Sequence, residues 1–180
     1  IPLRLVGSEM CIRDSDAADC VLDIHSTRAP VQPFWVYPEL ERNARLALAV
    51  GVPLVHLVMP AGAAPGTGVI GYGRHGAAEG QGAAVVVECG QHFSRSAAEL
   101  AVDVTRRFLA QLGLVDPVAA QAPAAPARRF RLLEVHMVKT ESFAFVRPLL
   151  GFETFDQGEL IAVDAGQEIR SPCDGCTVFM

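Results

Sequence analysis

Three short apolar runs mark the first part of the chain: Cys20 to His25, Pro53 to Met59 and Ala83 to Cys89. Each has strand length and gives way to polar or loop-forming residues, which predicts buried β-strands. Between them the period changes. Leu40, Ala44, Leu46, Ala47 and Val50 share one face of a helix predicted over Glu39 to Val50, with Gly51 to stop it and Pro53 beyond. A second helix is predicted from Ser96-Ala97-Ala98-Glu99, which has the form of a capping box, through Leu100, Val104, Phe108 and Leu112 to Gly113. Ser26 to Pro38 carries three prolines beside Phe34, Trp35 and Tyr37, and predicts a loop with apolar anchors. Val69-Ile70 predicts a short strand, and the glycine-rich run Gly71 to Gly82 a flexible loop over the site.

Strands alternating with helices predict an α/β layer fold, a mixed sheet with flanking helices. Asp116 to Ala127 is rich in proline and alanine, lacks periodicity, and reads as a linker. Beyond it the pattern is all-β. Strands are predicted at Arg131 to Val138, Glu159 to Val163 and Thr177 to Met180, with turns at Asp164-Ala165-Gly166 and Asp174-Gly175. The expected organisation is a partial α/β catalytic domain over residues 16–115, a linker over 116–128, and a small partial all-β domain over 129–180. Residues 1–15 fit neither part. Leu5 to Ser15 resembles a translated sequencing-adaptor run, so the segment is expected to be non-native and to pack poorly. The unclosed β unit extends the expectation of truncation to both ends.

Composition narrows the function classes. Hydrophobic residues make up 51% and charged residues 19% of the 180, enough apolar material for a core. A net charge of -5 provides no basic footprint, so nucleic acid is not an expected partner. No apolar run approaches the ~18 residues of a membrane span. Five irregularly spaced cysteines and no secretory pattern point to reduced thiols in a cytoplasm.

The candidate chemistry sits at two strand ends. His25 closes the first run, with Asp23 two residues before it on the same strand face if the strand is regular. Glu88 follows Val85-Val86-Val87, where a carboxylate is costly to bury without a partner. Zinc hydrolases use three protein ligands and an open position for water. His25 suits a ligand, Asp23 its orienting partner, and Glu88 a general base.

Asp23-Ile24-His25-Ser26-Thr27 followed by Val87-Glu88-Cys89-Gly90 resembles the succinylglutamate desuccinylase/aspartoacylase family, zinc amidohydrolases with a carboxypeptidase-A-like fold. The resemblance covers Cys20 to Gly113 and, more weakly, Arg131 to Met180. It implies that His25 is the last zinc ligand, that Glu88 is the catalytic base with Cys89 in place of a valine, and that Arg74 binds a substrate carboxylate. The family's upstream His-x-x-Glu motif occurs nowhere in this chain, nor does its Asn-Arg motif; Arg42-Asn43 is reversed and follows His25. The implied activity is deacylation of an N-acyl amino acid or similar small amide, with the chain itself an inactive fragment.

Other readings stay open. One is a zinc carboxypeptidase acting on peptides. Another is a binding module, since Gly158 to Met180 loosely resembles a biotinyl/lipoyl-type β domain; its turn is Asp174-Gly175, whereas such carriers present a lysine, and the only lysine is Lys139. Gly71-Tyr72-Gly73-Arg74-His75-Gly76 matches a dinucleotide fingerprint, but a strand and not a helix is expected next. Cys173-Asp174-Gly175-Cys176 is a lone C-x-x-C expected to be a hairpin turn. His56, His92 and His136 are expected to be structural, although His92, four residues after Glu88, is close enough to line the site. Oligomeric state is not legible.

Overall fold

The computed structural model describes residues 14–63, 68–117 and 125–178. Its centre is a mixed five-stranded sheet. In chain order the strands are β1 (Cys20–Thr27), β2 (Phe34–Pro38), β3 (Val55–Met59), β4 (Ala83–Gln91) and β5 (Arg128–Arg131), and in space they run β1-β4-β2-β3-β5. β1 and β4 are parallel, β2 is antiparallel to β4, and β3 and β5 are parallel to their inner neighbours.

The sheet separates its residues by alternation. One face carries Trp35, Tyr37, Val58, Val85, Val87 and Cys89. It is covered by helix α1 (Glu41–Val50), through Ala44, Ala47 and Val50, and by the long helix after β4 (Arg95–Gln111), through Ala97, Val104 and Phe108. Val85, Val87 and Val104 are fully buried, each contributing about 1.5–3 kcal/mol. Gly51 ends α1 in the left-handed region at φ 84°, its N–H bonded to the Ala47 carbonyl.

The opposite face is covered in two parts. Under β1 and β4, Ile70 packs on Ala84 and Val86 from a 3-10 turn over Val69–Gly71. Under β2, β3 and β5, Phe152 packs edge-on to Phe34 at 5.2 Å and lies 5.1 Å from Phe130. Phe152 belongs to the C-terminal segment, which holds two small sheets. Strands β7 (Glu153–Phe155) and β10 (Cys176–Val178) form one, and β6 (Ala144–Phe145), β8 (Leu160–Asp164) and β9 (Gln167–Arg170) the other. Ala165 and Gly166, at φ 52° and 76°, make the tight β8–β9 hairpin at the expected turn.

Several expectations are corrected. Phe34–Pro38 is not a loop but the strand joining the two halves of the sheet; its prolines bound it rather than interrupt it. Val69-Ile70 is a 3-10 turn, not a strand, with Ile70 buried on Ala84 and Val86 and Val69 packed beside it. The strand expected at Arg131 to Val138 is Arg128–Arg131 and forms the far edge of the central sheet. Asp174-Gly175 is a turn, but the strands it joins are not partners: β10 pairs with β7. The capping box does not form. Ser94 occupies the cap position, Ser96 Oγ pairs with Ser94 Oγ, and Glu99 binds Arg95.

The glycine-rich run is also corrected. It contains a one-turn helix, α2 (Gly73–Gly76), and folds around the Arg42 guanidinium; the Arg95–Gln111 helix is accordingly α3. Arg42 donates to the carbonyls of Arg74, His75, Ala77, Ala78 and Gly82. One rigid cation thus satisfies backbone acceptors that would otherwise need water. Next to it, Asn43 Oδ1 accepts from the Ala84 amide inside the core. Residues 1–13 and 118–124 lie outside the described residues, and with them most of the expected non-native segment and the middle of the expected linker; Ser15 is buried at 4% exposure. No helix among the described residues is long and apolar enough to cross a membrane.

Candidate functional site

β1 and β4 run in parallel and end together. Their register is regular from Cys20↔Ala83 to His25↔Glu88, so His25 and Glu88 are direct Cα partners at the C-terminal ends of adjacent strands. Past this pair, β4 takes three residues to reach Gln91 where β1 takes two to reach Thr27. That bulge contains Gly90 at φ 108°, a conformation that disfavours any side chain, so the glycine two residues after Glu88 has a backbone reason.

The regular register places Asp23, His25 and Glu88 on one face. Asp23 Oδ1 lies 3.1 Å from His25 Nε2, and Glu88 Oε1 lies 3.6 Å from His25 Nδ1. The imidazole thus has Asp23 beside one nitrogen and turns the other toward Glu88, with half of its side chain exposed. On the other side of Glu88, Phe34 of β2 is its Cα partner, 4% exposed. Glu88 is therefore walled by apolar surface, with its side chain 18% exposed and Oε2 buried without a hydrogen-bond partner. Desolvation raises its carboxyl above the usual carboxylate range; nearby Asp23 raises it further, while His25 and His92 pull it back. A carboxylate with an unmatched buried oxygen beside an open imidazole nitrogen has the features of a proton acceptor at a ligand site.

His92 also approaches this edge. Its amide donates to the Thr27 carbonyl and its Nδ1 lies 2.7 Å from Ser26 Oγ, tying the ends of the two strands together. Its place four residues after Glu88 was the signal for it. Phe93 follows at φ 63° with its ring fully exposed.

Arg74 is not brought to this site. It lies in α2, where its guanidinium reaches Asp19 at 3.1 Å and the Ala18 carbonyl at 3.4 Å, beside the start of β1. His25 is at the other end of that strand. His56 is buried against Tyr37, its Nδ1 2.9 Å from the phenol oxygen, and burial lowers it to about 4. His136 donates to Asp164, which also accepts from the amides of Lys139 and Thr140 and the Thr140 hydroxyl. The His136 bond first, then the others, hold that carboxyl down at about 2. Among the described residues no three His, Cys, Asp or Glu side chains are grouped to hold a metal ion.

Solved structures share this architecture. A succinylglutamate desuccinylase from Vibrio parahaemolyticus superposes with a TM-score of 0.63 over 92% of this chain and 51% of its own, at 16% identity. The fold is that of the succinylglutamate desuccinylase/aspartoacylase proteins. The Vibrio cholerae succinylglutamate desuccinylase gives 0.64 at 18% identity, over 96% of this chain and 53% of its own. The product-bound ectoine utilization protein EutE (DoeB) from Ruegeria pomeroyi gives 0.65 at 16% identity, over 99% and 59%. The chain thus spans little more than half the length of these structures. No family profile and no curated protein matches it by sequence.

Proposed function

We propose that this chain supplies part of the active site of a zinc-dependent deacylase acting on an N-acyl amino acid or a similar small amide. The observation that carries the reading is the His25–Glu88 partnership: an imidazole with one nitrogen held by Asp23 and the other facing a desolvated carboxylate, on parallel strand ends. The shared fold with succinylglutamate desuccinylases supports it.

The residues present fit a metal hydrolase in part. His25 Nδ1 is the nitrogen available to a metal, and the orphaned Glu88 oxygen suits a base. A zinc site takes three protein ligands, and among the described residues no three His, Cys, Asp or Glu are grouped to supply them. Zinc, when bound, would polarise the amide carbonyl and acidify a water. The chain's own residues act around it. Asp23, 3.1 Å from Nε2, is placed to favour the tautomer that leaves Nδ1 free for a metal. Glu88 remains outside the ligand set, where its raised proton affinity lets it take a proton from water and return it to the leaving amine. Phe34, buried at the neighbouring position of β2, adds apolar surface beside Glu88.

The test is a longer form of the protein, extended upstream of this chain, assayed for zinc content and for release of an acyl group from N-acyl amino acids. His25→Ala in that protein is expected to lose tight zinc and activity together. Full activity and stoichiometric zinc in the variant would overturn the assignment.

A further inference from the structure

A second pair of chemically competent groups lies in the C-terminal segment. Cys173 and Cys176 flank Asp174 and Gly175 in the turn that enters β10. Gly175 takes φ 67°, the left-handed conformation the third position of a type II turn requires. The first and fourth residues of such a turn have Cα atoms within about 7 Å, and disulfides span about 4.4–6.8 Å. The turn is fastened: Ser171 Oγ donates to the Cys173 carbonyl at 2.8 Å, Asp174 Oδ1 accepts from the Gln157 amide at 2.9 Å, and Cys176 pairs with Phe155 of β7. Both thiols are free. Cys173 is exposed, Cys176 half-buried, and both line a cavity of ≈ 480 Å³ between the central sheet and the C-terminal strands.

We propose that Cys173 and Cys176 form a reversible dithiol/disulfide site, oxidised by thiol–disulfide exchange with a small disulfide such as glutathione disulfide. The exposed Cys173 thiolate attacks one glutathione sulfur, forming a mixed disulfide and expelling one glutathione thiolate. Cys176, on losing its proton, attacks the Cys173 sulfur, closes the ring and expels the second glutathione. Two electrons pass to glutathione disulfide, and the two thiol protons end on two glutathione molecules. The order follows from exposure: Cys173 is exposed, while Cys176 is half-buried and burial pushes its thiol up. The closed ring would tie the start of β10 across the rim of the cavity. This site rests on the turn alone and is independent of the deacylase reading.

The test uses the 180-residue chain, folded and reduced, incubated with excess glutathione disulfide and followed by intact mass and peptide mapping. The expected product is lighter by two hydrogens, is linked 173–176, and is restored by dithiothreitol. Cys176→Ser is expected to stop at one glutathione adduct on Cys173, and Cys173→Ser to leave Cys176 unmodified. The proposal is overturned if the unaltered chain accumulates the Cys173 adduct without closing, stays unreacted, or forms the link only in urea. The unaltered chain decides the matter without relying on either variant to fold.

Discussion

His25 and Glu88 are paired across two parallel strands, and their side chains approach to 3.6 Å without hydrogen-bonding. The gap matters because Asp23 already occupies the other imidazole nitrogen at 3.1 Å. If Asp23 sets the tautomer, its removal should weaken metal binding while leaving the ligand in place. Asp23→Ala in the longer protein is expected to lower zinc affinity about 10–100-fold. Competition with a chelator measures it. An unchanged affinity would leave Asp23 as no more than a surface carboxylate.

Glu88→Gln separates base from ligand. Zinc content should stay at the unaltered level while turnover falls about 10²–10⁴-fold, the range for a lost general base. Because burial raises the Glu88 carboxyl, the acid limb of the rate profile is expected above the usual carboxylate range, and it should vanish in the variant. Stability follows the opposite sign. A carboxyl raised in the folded state favours folding while it is protonated, and that advantage is lost as pH rises through its folded value. Glu88→Gln should therefore raise the melting temperature at neutral pH, with the gain shrinking in acid. Calorimetry at two pH values checks it.

The site was legible because strand ends announce themselves. Val21 to His25 and Val85 to Glu88 are apolar runs interrupted by groups that are costly to bury, and a parallel pair of such strands delivers both to one edge. What was not legible depends on contacts far apart in the chain. Phe34–Pro38 has strand chemistry, but only its antiparallel pairing with β4 distinguishes it from a proline-bounded loop. Gly71 to Gly82 has loop composition, and nothing local shows that Arg42, on another element, gathers its carbonyls. Arg74 fails for the same reason: its proximity to Glu88 in sequence hides the length of β1 between Asp19 and His25.

The buried His56 sets a second pH dependence. Its proton affinity is depressed to about 4, so the folded state holds it neutral while the unfolded chain takes up a proton near the ordinary ~6.5. Stability present above ~6.5 should be lost as pH falls from there toward 4. His56→Gln is expected to flatten this stretch of the curve, at some cost in packing against Tyr37. Asp164, held at about 2, adds a loss of its own from about pH 5 downward, and that loss is common to both proteins. Denaturant midpoints between pH 7 and 4 make the comparison; parallel curves for the two proteins would remove His56 as the cause.

Gly151 marks where the C-terminal segment meets the central sheet. It sits at φ 103°, and a Cβ there would approach Val31 Cγ1 to 2.7 Å. Phe152, the next residue, is the ring wedged on Phe34 and Phe130. Gly151→Ala combines unfavourable backbone geometry with a clash at the core and is expected to cost about 1–3 kcal/mol. Val31→Ala in the same chain should restore part of the loss by removing the clash but not the backbone strain. A double-mutant cycle by chemical denaturation gives both terms, and strictly additive losses would show that the two residues do not meet.

The last prediction concerns the 180-residue chain alone. Among its described residues no three His, Cys, Asp or Glu are grouped to hold a metal ion, and zinc hydrolases hold the ion with three protein ligands. Glu88 cannot replace a missing ligand and still serve as base, because coordination would occupy the oxygen that must take the proton. Asp23 could reach a metal only by releasing His25 Nε2, which would free the ring it now fixes. The arginine that the family resemblance assigns to the substrate, Arg74, is held at Asp19 by the other end of β1. Both the Lewis acid and the positioning of substrate are therefore incomplete, and positioning alone can account for several kcal/mol of a barrier. The chain is expected to retain no zinc after dialysis against a chelator and to release no acyl group from N-acyl amino acids above the uncatalysed rate. Metal analysis and a single-turnover assay against the longer protein decide it. Stoichiometric zinc with comparable turnover in the 180-residue chain would mean that other residues complete the site, and the roles given to His25 and Glu88 would have to be redrawn.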